Sequence, residues 1–181
     1  QKAVVFTESK RTQKYIAAEL RKSGYSEEDI LLFNGDFDDA MTKEIFRAWQ
    51  AKNFGKTNYG RSVEYKHAIV DYFKSHAKVL IVTDAGSEGL NLQFCNTIIN
   101  YDLPWNPQKI EQRIGRCHRY GQTHDVVAIN LLNTDNEADR RVYDILAKKF
   151  ELFEGVFGAS DVALGALESG ISFEKRILNI Y

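Results

Sequence analysis

Residues 79–122 constrain this chain more than any other stretch. Val79-Leu80-Ile81-Val82 is a short, apolar, β-branched run that ends in Thr83-Asp84 and a small-residue loop, Ala85-Gly86-Ser87-Glu88-Gly89. A second such run, Thr97-Ile98-Ile99-Asn100-Tyr101, ends in Asp102-Leu103-Pro104-Trp105-Asn106, and an arginine-bearing helix follows. Runs this short and this apolar read as strands buried on both faces. Each delivers a polar loop at its carboxyl end.

The rest of the chain repeats the pattern. Lys2–Thr7 reads as a buried strand, and a helix over 10–23 follows, with Ile16 and Leu20 on one face and Gly24 as its stop. Ile30–Phe33 is a second strand, closed by Asn34-Gly35. Helices are expected over 40–52, from Ile45, Phe46 and Trp49, and over 62–75, from Tyr65, Ile69, Tyr72 and Phe73. The polar segment 53–61 between them breaks the periodicity and reads as an exposed insertion. Lys52, Lys56 and Arg61 flank Phe54 and Tyr59 there, so a nucleic-acid contact is the second reading beside a plain surface loop. A strand over 126–132 comes after the arginine helix. Thr134-x-x-Glu137 is a capping-box pattern that opens a helix to about Phe153, with Val142, Ile145, Leu146, Phe150 and Phe153 facing inward. The glycine-punctuated remainder to Tyr181 carries two short apolar-periodic pieces.

Strands alternating with helices predict an α/β fold with a mainly parallel central sheet and helices on both faces. The expected division is an α/β lobe over 1–133 and a helical extension over 134–181. Ligands of such sheets bind beyond the carboxyl ends of the strands. That rule puts Thr7-Glu8, Gly35-Asp36, Thr83–Gly89 and Asp102–Asn106 on one functional edge.

Bulk properties narrow the function. Among 181 residues, 24 basic and 25 acidic side chains leave a net charge of −1, which argues against a bulk nucleic-acid coat but not against a local basic patch. Cys95 and Cys117 are far apart with no CxxC, so a zinc site or disulfide framework is not expected, and a reducing cytosol is the default compartment. His67, His76 and His124 have no ligand-spaced partners, so no metal site is expected. No apolar run approaches the ~18 residues of a membrane span. The chain opens on Gln1-Lys2 and runs straight into a strand, as a piece of a longer polypeptide would.

In the arginine helix, spacings of four and three place Gln112, Arg116 and Arg119 on one stripe. Two neighbouring guanidiniums repel unless an anion lies between them, and their forks suit phosphate oxygens. A solvated basic face is the plain alternative. Gly115 and the helix start at a strand-end edge favour the functional reading. Cys117, between the arginines, reads as a small buried residue, with a lowered thiol pKa as the minority reading. Asp102-Leu103-Pro104-Trp105 has the look of an amino-methyltransferase motif, but no G-x-G cofactor loop exists.

These residues carry a resemblance. Val79–Gln93 resembles motif V, and Gln112–Gln122 motif VI, of superfamily-two helicases and translocases. The wording WNPQ…EQRIGRCHRYGQ is most similar to the Swi/Snf-type branch and its bacterial RapA-like members. Lys2–Ser9 and Leu32–Gly35 resemble strands of that family's second RecA-like lobe.

The resemblance implies a RecA-like three-layer sandwich. It implies that Arg116 and Arg119 are arginine fingers, that Gln112 senses the γ-phosphate, and that Gly89 and Asn91 lie near the nucleotide. Thr83, Thr7, Asn34 and Gly35 would meet nucleic-acid phosphates, and Trp105 either reaches the nucleic-acid track or is a buried wedge. ATP and Mg²⁺ would be held mainly by an N-terminal RecA-like lobe of the same polypeptide. This chain has no Walker A sequence, because Gly55-Lys56-Thr57 is preceded by Gln50 where that motif needs glycine, and it has no DExH box. Expected partners are that lobe, nucleic acid (DNA over RNA), and a protein target displaced or remodelled, in the bacterial cytosol or nucleoid and not at a membrane. The isolated lobe would be inactive. A non-catalytic nucleic-acid or partner-binding module of the same fold is the alternative.

Overall fold

A computed structural model describes residues 2–37, 39–55, 59–104, 106–118, 126–133, 135–137, 139–145, 148 and 177–180. In chain order these form β1 (Ala3–Thr7), α1 (Lys10–Lys22), β2 (Ile30–Phe33), α2 (Ala40–Asn53), α3 (Arg61–Ser75), β3 (Val79–Thr83), α4 (Asp84–Ser87), β4 (Thr97–Asn100), α5 (Pro107–Cys117), β5 (Val127–Leu131) and β6 (Ile177–Ile180). The strands make one sheet, ordered β2-β3-β1-β4-β5-β6, and every neighbouring pair is parallel.

The strands alternate their side chains between two apolar cores, as the pleat requires. Val4, Phe6, Leu31, Phe33, Leu80 and Val82 face α2 and α3, which contribute Ile45, Phe46, Tyr65, Ile69 and Phe73. Val5, Ile30, Val79 and Ile81 face the opposite way, onto Ile16 and Ala17 of α1. Near-continuous apolar strands are what a sheet covered on both faces needs, and the expected three layers are present.

Helix starts follow local chemistry. Ser9 accepts from Arg11 N at 3.1 Å, Asp39 from Thr42 N at 3.0 Å, and Asn106 from Gln108 N at 3.0 Å ahead of Pro107 at the first helical position. The buried Gln13 on α1 donates to Phe33 O at 3.0 Å and Ile81 O at 2.9 Å. It thereby ties the end of β2 to the middle of β3.

Three features depart from the sequence expectation. The stretch after β3, read as a loop, makes one helical turn, because the Thr83 hydroxyl caps it by accepting from Gly86 N at 3.2 Å. The extension is not wholly helical. Residues 139–145 are helical, and Val142 packs with Ile110 of α5, but Ile145 is 52% exposed rather than inward. The far end of the extension supplies β6, in register with β5 from Ala128↔Ile177 to Leu131↔Ile180. Ile177-Leu178-Asn179-Ile180 is β-branched and apolar, and the sheet edge at β5 offers backbone groups that need partners. The ends of the 53–61 insertion described here are exposed, with Phe54 at 90%. Among the described residues, no helix is long and apolar enough to cross a membrane.

Candidate nucleotide and nucleic-acid edge

The strand tips and α5 are knitted together by a buried polar network centred on Arg113. This side chain is 2% exposed. Its Nε donates to Asp84 Oδ1 at 2.7 Å, and its Nη1 donates to Asn100 Oδ1 at 3.0 Å and to Asp102 O at 3.0 Å. The guanidinium lies 5.2 Å over the Phe6 ring. Asn100 in turn donates to Asn130 Oδ1 at 2.8 Å. The Asp102 carboxylate accepts from the Thr7 hydroxyl and, at 3.0 Å, from Glu8 N. Burial pushes the Asp84 carboxyl up, but Arg113 and then Lys109 outweigh it and hold the group below its ordinary value. So β1, β3, β4 and β5 present their ends to α5 through one charge-paired chain.

Next to this network α5 and α4 enclose a pocket of about 230 Å³, lined by Lys109, Gln112 and Arg116 from one side and Ala85, Ser87 and Glu88 from the other. Lys109 Nζ stands 3.4 Å from Asp84 Oδ2 and 3.7 Å from Glu8 Oε1. Arg116 is half-buried and makes no ion pair with a described residue. The pocket is smaller than the ~300–1,000 Å³ that encloses a whole small-molecule ligand. Its donors, an ammonium, an amide and a guanidinium, suit phosphate oxygens.

The expected residues can now be placed. Gln112 and Arg116 share the pocket. Arg119 and Trp105 lie outside the described residues. Gly89 and Asn91 are exposed on the loop just beyond Glu88 but do not line the pocket, and Gly89 faces Lys66 of α3. The hydroxyls of Thr7 and Thr83 are spent inside the protein. Thr7 is fully buried against Asp102, and Thr83, 6% exposed, also donates to Asn34 O at 3.2 Å. These hydroxyls set the loops instead of reaching outward, which leaves the backbone of the two tips as the part that can meet a phosphate. Asn34 and Gly35 are half-buried, with Asn34 Oδ1 accepting from Asp36 N at 2.9 Å and Gly35 at φ +87° against Ala85. Sequence reading placed Asp84 on this edge within the Thr83–Gly89 loop, but missed Arg113 and Lys109 and their pairing with it. The signal available was the i, i+4 spacing of Lys109 and Arg113 on the helix that follows the Asp84 loop. Cys117 is fully buried, and its contact with the Cys95 thiol, with burial, pushes its pKa up, so the small-buried-residue reading holds over a reactive thiol.

Gly86 locks α4 to β2. A Cβ there would lie 2.7 Å from Phe33 O and 2.9 Å from Asn34 C, both backbone atoms that cannot swing away. Gly86→Ala is expected to cost about 1–3 kcal/mol of stability, read as a lower denaturant midpoint; a midpoint equal to the parent's would show that the loop yields freely.

A profile of the helicase conserved C-terminal domain matches residues 1–121. The chain is 37% identical over 179 residues to the uncharacterized ATP-dependent helicase YqhH of Bacillus subtilis, covering 99% of this chain and 27% of that protein. It is 40% identical over 125 residues to the RNA polymerase-associated protein RapA of Vibrio cholerae, covering 67% of this chain and 12% of that protein. The chain thus spans about a quarter or less of these relatives. The C-terminal part of the Fun30 ATPase domain superposes with a TM-score of 0.57 at 20% identity, over 81% of this chain and 39% of that one. The C-terminal domain of the DEAD-box protein Dbp5 does so with a TM-score of 0.53 at 20% identity, over 82% and 69%. At that identity the likeness speaks for the fold, a RecA-like lobe. The chain belongs to the helicase conserved C-terminal domain family, as a superfamily-two second lobe of the Swi/Snf-type, RapA-like branch.

Proposed function

We propose that this chain is the C-terminal lobe of an ATP-dependent translocase that tracks double-stranded DNA, completing an active site whose nucleotide is held mainly by an N-terminal lobe of the same polypeptide. The observation that carries the reading is the small pocket between α4 and α5, where Arg116 and Gln112 have no partner among the described residues while Arg113 beside them is bound to the strand tips.

ATP, with Mg²⁺, supplies a phosphoryl group for transfer to water. In this lobe Arg116 stabilises charge on the phosphoryl oxygens, with Arg119 as the second finger of the motif, and Gln112 orients on the same oxygens. Lys109, paired to Asp84 and Glu8, offsets the acids at the floor of the pocket without taking the finger's place. Gly89 and Asn91 shape the loop at the pocket's rim. Phosphate contact on the nucleic-acid side falls to the backbone around Asn34 and Gly35, whose conformation Thr83 and Gly86 fix, with Thr7 holding the neighbouring tip and Trp105 near the track. Closing the lobes on nucleotide would shift one set of backbone contacts against the other, which needs no base-reading group. The reading places the protein in the bacterial cytosol or nucleoid, acting on a DNA–protein complex. RapA is named for its association with RNA polymerase, and that makes a DNA-bound polymerase one target to test.

The isolated 181-residue chain is expected to show no ATP turnover, and the full-length protein turnover that rises with duplex DNA more than with single-stranded DNA or RNA. Turnover by the isolated chain at the full-length rate would overturn the half-site assignment. Equal stimulation by RNA and duplex DNA would overturn the choice of track.

A further inference from the structure

A second, larger cavity lies away from the nucleotide pocket, between α2 and the first turn of α3, with a volume of about 680 Å³. Its floor is aromatic. Tyr65 is buried, packs 4.7 Å from Phe46, and donates its hydroxyl to Thr42 Oγ1 at 2.7 Å. Phe37, 40% exposed, meets Tyr65 edge-on at 4.4 Å and forms one wall. The rim is cationic, with Lys43 and Arg47 from α2 and Arg61 from α3, and no lining residue is acidic. Arg47 and Arg61 are exposed, and neither forms an ion pair or hydrogen bond with a described residue.

That combination is unusual for a chain whose charges balance. Its ion pairs elsewhere on the surface, Arg21 with Glu27 and Lys78 with Asp29 among them, show acids placed near bases. Around this cavity two guanidiniums stand on packed helices, and among the described lining residues there is no acid to pair with them, an arrangement that favours an anion between them. Phe37 follows directly on the Asn34–Asp36 loop, so the cavity opens beside the tip of β2, on the edge where backbone phosphates are proposed to bind.

We propose that the α2–α3 cavity holds a further stretch of the nucleic-acid backbone, with a phosphate clamped between Arg47 and Arg61 and a sugar face resting on Phe37. This rests on the nucleic-acid reading above and extends its track from the Asn34-Gly35 loop onto the α2–α3 face. A polynucleotide is the occupant favoured over an isolated anion, because the cavity is far larger than one phosphate and continues an edge already assigned to a strand. Its contacts are sequence-independent, so the cavity lengthens the footprint without reading bases.

The test is equilibrium binding of the full-length protein to a labelled 30-base-pair duplex across a salt series. Each duplex phosphate neutralised contributes about 0.9 to the slope of log affinity against log salt. Arg47→Ala/Arg61→Ala releases that one phosphate and is expected to lower the slope by about 0.9 and to weaken binding roughly tenfold at moderate salt. Arg47→Lys/Arg61→Lys should keep most of the slope. Lys14→Ala, on the exposed face of α1 across the sheet, should leave it unchanged, and a thermal melt of each variant checks folding. An unaltered slope in the double alanine variant overturns the proposal while leaving the translocase reading intact. Loss of poly-glutamate binding with the duplex slope unchanged would assign the cavity to an acidic protein segment and also overturn it. Absence of salt-dependent duplex binding in the parent protein would instead strike the nucleic-acid reading itself, and this inference with it.

Discussion

Arg116→Ala in the full-length protein is expected to cut ATP turnover by about 10³-fold or more, within the 10³–10⁵ range an arginine finger contributes, and to change nucleotide affinity far less. A thousandfold loss corresponds to about 4 kcal/mol of transition-state stabilisation. The geometry says why this cation and not its neighbours. Helix α5 offers Lys109, Arg113 and Arg116 to the same edge. Arg113 is turned inward and makes three hydrogen bonds through Nε and Nη1, with Nη2 buried and without a partner among the described residues, and Lys109 faces two carboxylates. Arg116 alone of the three lines the pocket without an ion-pair partner among the described residues. It is also held in place by its backbone, since Leu92 N donates to Arg116 O at 2.9 Å and so fixes the end of α5 to the loop after α4. Arg116→Lys keeps the charge but loses the planar fork, so it should recover only a minor part of the rate. The measurement is steady-state kcat against nucleotide Kd. A kcat within about tenfold of the parent would mean that Arg116 is a surface cation and that the pocket is not a finger site.

Much of this arrangement was legible in the sequence, and the legible parts share a cause. Val79–Val82 and Val4–Phe6 are apolar at every position, which only a strand buried on both faces requires, and the two cores divide those residues by parity. Gln112 and Arg116 are four apart on a helix, and four-residue spacing survives into the fold because helix geometry is local. What was not legible depends on contacts distant in sequence. Nothing near Arg113 says that it, rather than Arg116, turns inward; that is decided by Asp84 and Asn100, 29 and 13 residues away. Nothing near Thr7 or Thr83 says where its hydroxyl turns; Asp102 and Asn34, far along the chain, decide that. The strand at Ile177–Ile180 has an apolar pattern too short to separate helix from strand, and its partner β5 lies far upstream. Arg61 entered the sequence reading only as a flank of the 53–61 segment and Arg47 not at all, and the two line one cavity only because α2 packs on α3.

Arg113→Ala is expected to destabilise the lobe by about 3–5 kcal/mol, the cost of breaking a buried ion pair from one side. Three acceptors lose their donor at once, Asp84 Oδ1, Asn100 Oδ1 and Asp102 O. Asn100 is fully buried and cannot turn to water. Asp84 is 27% exposed at the side chain and keeps Lys109 at 3.4 Å, which pulls the loss toward the lower end of that range. Arg113→Lys should not rescue, because one ammonium cannot reach acceptors spread across two strand ends and the α4 turn. The pH dependence carries the sign. The folded lobe holds the Asp84 carboxyl below its ordinary value, so its stabilisation is complete above the unfolded-state value and is lost as pH falls through the folded one. Without Arg113 only Lys109 is left to oppose burial at Asp84, and that acid-labile increment shrinks. The gap in denaturant midpoint between parent and variant should therefore be widest near neutrality and narrow in acid. Asp84→Asn in the Arg113→Ala background should cost much less than in the parent, since both changes remove the same contact. A parent-like midpoint for Arg113→Ala would show that α5 is anchored by its apolar face, through Ile110 and Ile114, and that the charge network follows the packing without setting it.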